Sequence, residues 1–190
     1  MSAMNNAGRG TRSTIRRAGT VVAALAVAAA TASCTGDDGP AEGYQRVEAG
    51  WMQVDVPADW VDTGGVDDTW TASYQDVEGE DPAYQLLLAP EFAHDSALGA
   101  TSQIIGSAQL GAYPDFTVVE QGDPSREEDF AHYNRVRFTY TGNDGTTYEA
   151  VLWGVADDDE NAVLAQLTGE SLDDDLVQTV GDSIVVTGEG

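Results

Sequence analysis

Residues 134–155 read NRVRFTYTGNDGTTYEAVLWGV, from Asn134 to Val155, and this stretch decides the fold. Val136, Phe138 and Tyr140 alternate with Arg135, Arg137 and Thr139, and a period of two places each set on its own face of a strand. Asn143-Asp144-Gly145 then supplies residues that tolerate positive φ, as a tight hairpin turn requires. The chain returns through Thr147 to Val155, where Val151, Trp153 and Val155 alternate against Ala150, Leu152 and Gly154. Alternating strands joined by so short a turn pair antiparallel, so the fold is built on an antiparallel sheet.

Working outward, the segment 157–161 turns the chain into another apolar run, Ala162 to Leu167. Upstream, Met52, Val54 and Val56 alternate with Gln53 and Asp55 and stop at Pro57. Trp70 to Gln75 alternates again, and Tyr84 to Leu88 is a short apolar run typical of a buried strand. Polar turn residues join these three, which reads as an antiparallel meander. After Asp95 the period changes. Ala97, Ala100, Ile104, Ile105 and Ala108 form one helical stripe over 96–110, with Asp95 or Ser96 able to cap its start and Gly111 and Pro114 ending it. Thr117 to Glu120 resumes the strands. A last helix is expected from Leu172 to Ser183, capped by Ser171, with Asp173, Asp174 and Asp175 in its first turn where the helix dipole favours negative charge. Leu172, Leu176, Val177, Val180 and Ile184 form its apolar stripe. The expected class is therefore α+β, an antiparallel sheet of about six to seven strands sandwiched by two long helices.

The first residues read as a targeting segment. Arg9, Arg12, Arg16 and Arg17 form a basic front, and residues 18–33 carry no charge, with an apolar centre at 21–30. That centre is far shorter than the roughly 20 residues needed to span a bilayer, but it suits a secretory core of roughly 7–15 residues. Thr31, Ala32 and Ser33 lead into Cys34, the only cysteine. Small residues ending in a lone Cys resemble the lipobox of bacterial lipoproteins, with Thr31 standing where Leu is usual. The resemblance implies cleavage before Cys34 and a diacylglyceryl thioether on its sulfur. The expected organisation is a signal peptide over 1–33, a lipidated Cys34 with a flexible tether over 34–43, and one domain over 44–190. An ordinary secretory signal cut near Ala32 is the alternative.

Outside the first 33 residues, all 33 acidic residues stand against four arginines, Arg46, Arg126, Arg135 and Arg137, and the chain has no lysine. Such a charge repels phosphate backbones and anionic lipid head groups, which excludes nucleic acid as a partner. With one cysteine, no disulfide can staple the domain.

Catalytic chemistry finds little support. There is no Gly-x-Ser-x-Gly elbow, and no lysine to form a Schiff base. His94 and His132 are the two histidines, placed just ahead of the first helix and near the start of a strand. Asp157-Asp158-Asp159-Glu160-Asn161 has the opening spacing of a calcium loop, but Ala162 stands where that loop needs Gly and Thr168 where it needs a bidentate Glu. A solvated turn is the simpler reading, and it extends to Glu127-Glu128-Asp129 and Asp173–Asp175. No cofactor, metal or catalytic residue is expected. Trp51, Trp60, Trp70, Trp153 and the tyrosines are read mostly as packing, with a ligand groove as the alternative.

Val54-Asp55-Val56-Pro57-Ala58-Asp59-Trp60, the long hairpin and the closing amphipathic helix resemble the PsbP-like (Mog-type) α/β/α sandwich. Together with the lipobox, the pattern resembles the LpqN/LpqT type of actinobacterial lipoprotein. The resemblance implies a lipid-anchored, extracytoplasmic, non-enzymatic binding or accessory domain on the outer face of the plasma membrane, working on a protein partner. A carrier or sensor for a hydrophobic or glycan ligand is the second expectation, and a cell-envelope hydrolase the third.

Overall fold

The computed structural model describes residues 39–79, 82–124, 126 and 129–188. The expected targeting segment over 1–33, Cys34, and Glu127 and Glu128 lie outside the described residues. The hairpin forms as its alternation dictates: Tyr133–Thr141 (β7) pairs antiparallel with Thr147–Ala156 (β8), Val136 opposite Leu152 and Tyr140 opposite Tyr148. β8 in turn pairs with Asn161–Gly169 (β9), and β9 with the long strand Tyr84–His94 (β5).

Two shorter strands, Val61–Asp62 (β3) and Ala72–Gln75 (β4), extend one side, and Thr117–Gln121 (β6) closes the other. The result is a seven-stranded antiparallel sheet ordered β3-β4-β5-β9-β8-β7-β6. β9 is buried at every residue, as a central strand covered on both faces must be.

One expectation is corrected here. Met52–Pro57 (β2) does not join a meander with β4 and β5. It pairs instead with Tyr44–Ala49 (β1) and with the short Val185–Val186 (β10), making a separate three-stranded sheet. β1 gave no signal because neither of its faces is fully buried. Met52, Val54 and Val56 are sealed against the large sheet, at most 1% exposed. On the opposite face Asp55 is also buried, where it accepts from Arg46 Nε at 2.8 Å and from the backbone N–H of Ala41 at 3.2 Å. Ala41 is thus already held by the sheet ahead of β1.

The helices are shorter than expected, three turns each. Ala97–Ser107 (α1) is capped by Ser96, whose Oγ accepts from the Gly99 N–H at 3.1 Å. It runs into a π-type turn, Ala108–Ala112, where Gly111 takes φ 103°. Asp174–Ser183 (α2) is capped by Asp173 and not by Ser171. Leu172 is the reason. Its side chain is buried and its N–H donates to Glu149 Oε2 at 3.1 Å, so the helix cannot begin before residue 174.

Each face of the large sheet has its own apolar layer. Leu87, Leu164, Leu152 and Phe138 meet Ala97 and Ala100 of α1. Leu86, Leu88, Val151, Trp153 and Leu167 meet the small sheet and Val177 and Val180 of α2. Trp153 and Gly154 on β8 mark where the two helices come close to the sheet. A β-carbon on Gly181 of α2 would stand 2.6 Å from the Trp153 indole nitrogen, and one on Gly154 would stand 2.7 Å from the Ala97 carbonyl oxygen.

Candidate functional site

Alternation on β7 sends Arg135 and Arg137 to the α2 side while Val136 and Phe138 enter the α1 layer. Glu120 sits opposite Arg137 on β6, and the loop after β6 carries Asp123 and Arg126. α2 contributes Asp174 and Asp182 from one exposed side. All of these charged residues except Arg126 frame a groove of about 280 Å³ floored by Trp153, Val177 and Gly181. Three of the four arginines after residue 33 therefore gather around one helix.

Every one of the three is matched by acids. Arg126 Nη2 donates to Asp182 Oδ1 at 2.6 Å, and its guanidinium lies 4.3 Å over the Tyr133 ring. Arg137 binds Glu149, and reaches Asp174 Oδ1 at 2.9 Å. Arg135 lies 3.7 Å from Glu120 and 3.6 Å from Asp123. Burial pulls the Arg137 pKa down, but its hydrogen bonds to Glu149 and Asp174 outweigh this and hold it above its ordinary value. Burial, reinforced by Asp123, pushes the Tyr133 phenol well above its usual range, so it stays protonated and donates to Asp123 Oδ2. Two polar atoms in the groove are buried without a hydrogen-bond partner, Glu120 Oε1 and Arg135 Nε.

A second opening lies at the hairpin end of the sheet. α1 covers the rungs around Gly154 and Asn134, where Asn134 donates to Thr101. Beyond its reach the same sheet face turns polar: Gln75, Gln85 and Thr168 stand on one rung, Tyr140 and Tyr148 on the next. These residues and Tyr84 line an open cleft of about 980 Å³. Tyr140 and Tyr148 stack at 5.7 Å, and burial pushes the Tyr140 phenol up to about 12. Beside Thr168, Gln166 is 1% exposed and its Oε1 has no hydrogen-bond partner.

The histidines do not come together. His94 ends β5 with its ring 5.1 Å from the Trp51 ring. His132, ahead of β7, is held between Asp129 Oδ2, 3.0 Å from Nδ1, and Asp158 Oδ1, 3.2 Å from Nε2. The hydrogen bond that the imidazole donates to Asp129, then the charge of Asp129 and that of Asp158, raises the imidazole pKa, while Asp129 is lowered chiefly by His132. A raised histidine stabilises the fold fully below its unfolded value near 6.5 and loses that contribution as pH climbs through the folded value. The link between the 129–133 and 157–160 turns is therefore strongest in the window between the lowered Asp129 and the raised His132. An NMR titration is expected to place the His132 midpoint above 6.5, and D129N to bring it down; a wild-type midpoint at or below 6.5 contradicts this placement.

The acidic run Asp157–Asn161 forms a turn. Asp157 Oδ1 accepts from the N–H groups of Asp159 and Asn161, and Oδ2 from the Asn161 amide. Among the described residues no group of three or more His, Cys, Asp or Glu side chains is arranged to hold a metal ion. Of the tryptophans, Trp60, Trp70 and Trp153 are buried and Trp51 is partly exposed. The cleft is lined by tyrosines instead. Arg135 and Arg137 were visible in sequence as one face of a strand, but their acidic neighbours come from four other segments, which no local pattern connects.

No family model matches the sequence, and none of the curated proteins matches it. Solved structures do. The Ran-binding protein Mog1p of Saccharomyces cerevisiae superposes with a TM-score of 0.51 at 13% identity, over 76% of this chain and 95% of its own. Cyanobacterial PsbP (CyanoP) from Synechocystis sp. PCC 6803 gives 0.49 at 14% identity, over 82% and 98%. LpqN of Mycobacterium tuberculosis, described as involved in cell envelope biogenesis, gives 0.44 at 15% identity, over 76% and 90%. At these identities the likeness is one of architecture, and through Mog1p it shows that the chain has the Mog-type α+β fold.

Proposed function

We propose that this chain is exported, cleaved before Cys34 and held on the outer face of the plasma membrane by lipid, where it works as a non-enzymatic binding or accessory domain for a protein partner. The observation that carries the binding half is the filling of both layers. Trp153 and Met52 on one side and Phe138 and Leu164 on the other are at most 1% exposed. A hydrophobic cargo needs an apolar cavity between a helix and the sheet, whereas the groove between α2 and the sheet is open and rimmed by Glu120, Asp123, Arg135, Arg137, Asp174 and Asp182, which favours recognition by surface charge. The yeast protein of this fold is Ran-binding, which supports a protein as the partner.

The anchor rests on the sequence around Cys34. One acyl chain binds a membrane only marginally, whereas two, at roughly 0.8 kcal/mol per buried methylene, hold stably. C34A is expected to move the protein from membrane to soluble fractions, and the denatured mass of the native protein is expected to start at Cys34 plus acyl chains. Retention of C34A in membranes, or an unmodified start, refutes lipid on Cys34.

A second reading is favoured by the polar cleft. Neutral amides and hydroxyls beside tyrosine rings suit a glycan, whose hydroxyls need hydrogen bonds and whose ring faces need an aromatic platform. The hydrolase reading lacks support. Its histidines are engaged by two aspartates and by an indole, and among the described residues neither is hydrogen-bonded to the serine hydroxyl that a triad requires.

A further inference from the structure

The large sheet has two edges. β3 is only two residues long, whereas β6 offers five, Thr117–Gln121. β6 pairs with β7 along one side, and among the described residues no strand pairs with the other. An edge of this kind presents unpaired N–H and C=O groups to any extended chain of suitable length. Its side chains invite contact, because Val118 and Val119 are 39% and 60% exposed. The register shifts between Val118 and Glu120, a bulge that bends the strand and limits pairing to a few residues. Long sheet growth is thereby discouraged while a short docking edge remains.

The groove behind this edge selects the occupant. Glu120 extends from β6 itself, with Oε1 buried and without a hydrogen-bond partner. Glu120, Asp123, Asp174 and Asp182 outnumber the two arginines that share the lining. Arg135 Nη1 stands 3.7 Å from that oxygen, beyond hydrogen-bond distance, so the carboxylate is near a positive charge but still lacks a donor, and the surplus of acids favours a basic one. The geometry points to β6 as the docking edge for an extended segment of a protein partner bearing Lys or Arg, its main chain adding an eighth strand and its basic side chain reaching Glu120. A second copy is the poorer occupant, since each chain carries 33 acids against four arginines after residue 33 and would repel its twin. This deepens the accessory reading by naming the surface and the kind of partner, and it rests on that reading's protein contact, not on lipid at Cys34.

The test uses the full chain in detergent with three synthetic octapeptides: alternating Lys and Val, alternating Glu and Val, and the Lys–Val peptide N-methylated at every second backbone nitrogen. Titration calorimetry and hydrogen exchange are the readouts. The Lys–Val peptide is expected to slow exchange over 117–121, and N-methylation to weaken binding about tenfold or more by removing main-chain donors. The Glu–Val peptide is expected not to bind. E120Q is expected to weaken the Lys–Val peptide several-fold. Equal binding of the N-methylated peptide, or protection confined to α2 with β6 unchanged, overturns the proposal. So does a chain that dimerises through 117–121 and ignores all three peptides. None of these outcomes depends on Cys34: an unmodified Cys34 would leave the edge standing, and peptide failure would leave the anchor standing.

Discussion

W153A is expected to remove about 3–5 kcal/mol of folding free energy, the range for deleting a large buried aromatic. Trp153 sits on the central part of β8, 1% exposed, among the side chains that join the large sheet to the small one and to α2. The small residue Gly181 lies directly over its indole, and that close approach leaves nothing able to swing into the void. Domains are stable by only about 5–15 kcal/mol, so the loss is a large share of the total. Urea unfolding followed by circular dichroism should show the midpoint falling by about 1 M or more, given slopes of about 1–3 kcal/mol per molar. W153F should recover part of the loss by refilling some of the volume. A W153A cost below about 1 kcal/mol would contradict the packing of α2 on this residue.

G154A acts on the opposite face of the same strand. Its added methyl would stand 2.7 Å from both the Ala97 carbonyl oxygen and Thr101 Cγ2. The carbonyl is backbone at the start of α1 and cannot rotate away, so the helix must lift. Overpacking of this kind costs about 1–3 kcal/mol. Lifting α1 also strains the hydrogen bond from Asn134 to Thr101, and leaving that buried amide unpaired would add about 1–3 kcal/mol. G106A supplies the contrast. A β-carbon there meets nothing within 4 Å, so alanine should stabilise the helix by about 0.5–1 kcal/mol. Opposite signs in the same melt would verify the seat of α1. A neutral G154A would mean that α1 does not rest on β8 as described.

Much of the architecture was legible because its signals are local. The hairpin of β7 and β8 follows from alternation across Asn143-Asp144-Gly145, and its register places Val136 opposite Leu152 as two matched faces require. Ser96 caps α1 and Gly111 helps to end it, each acting through its own backbone neighbours. The groove was legible only as the pair Arg135 and Arg137, and the cleft only as scattered tyrosines.

What the chain's order could not decide was which strand lies beside which. Alternation assigns a residue to a face but names no neighbour, so β2 read as the first strand of a meander although it belongs with β1 and β10. β1 itself was silent because half-buried positions leave no apolar period. Likewise Ser171 and Asp173 are equally good caps in isolation. The choice fell to Asp173 only because Leu172 had to reach the core first. The sequence by itself determined the antiparallel hairpin, the two helical stripes and the acidity of the surface, because each depends on neighbours along the chain. The tertiary structure decided the second sheet, the gathering of arginines around α2 and the open edge of β6, because each depends on segments that meet only when the core closes.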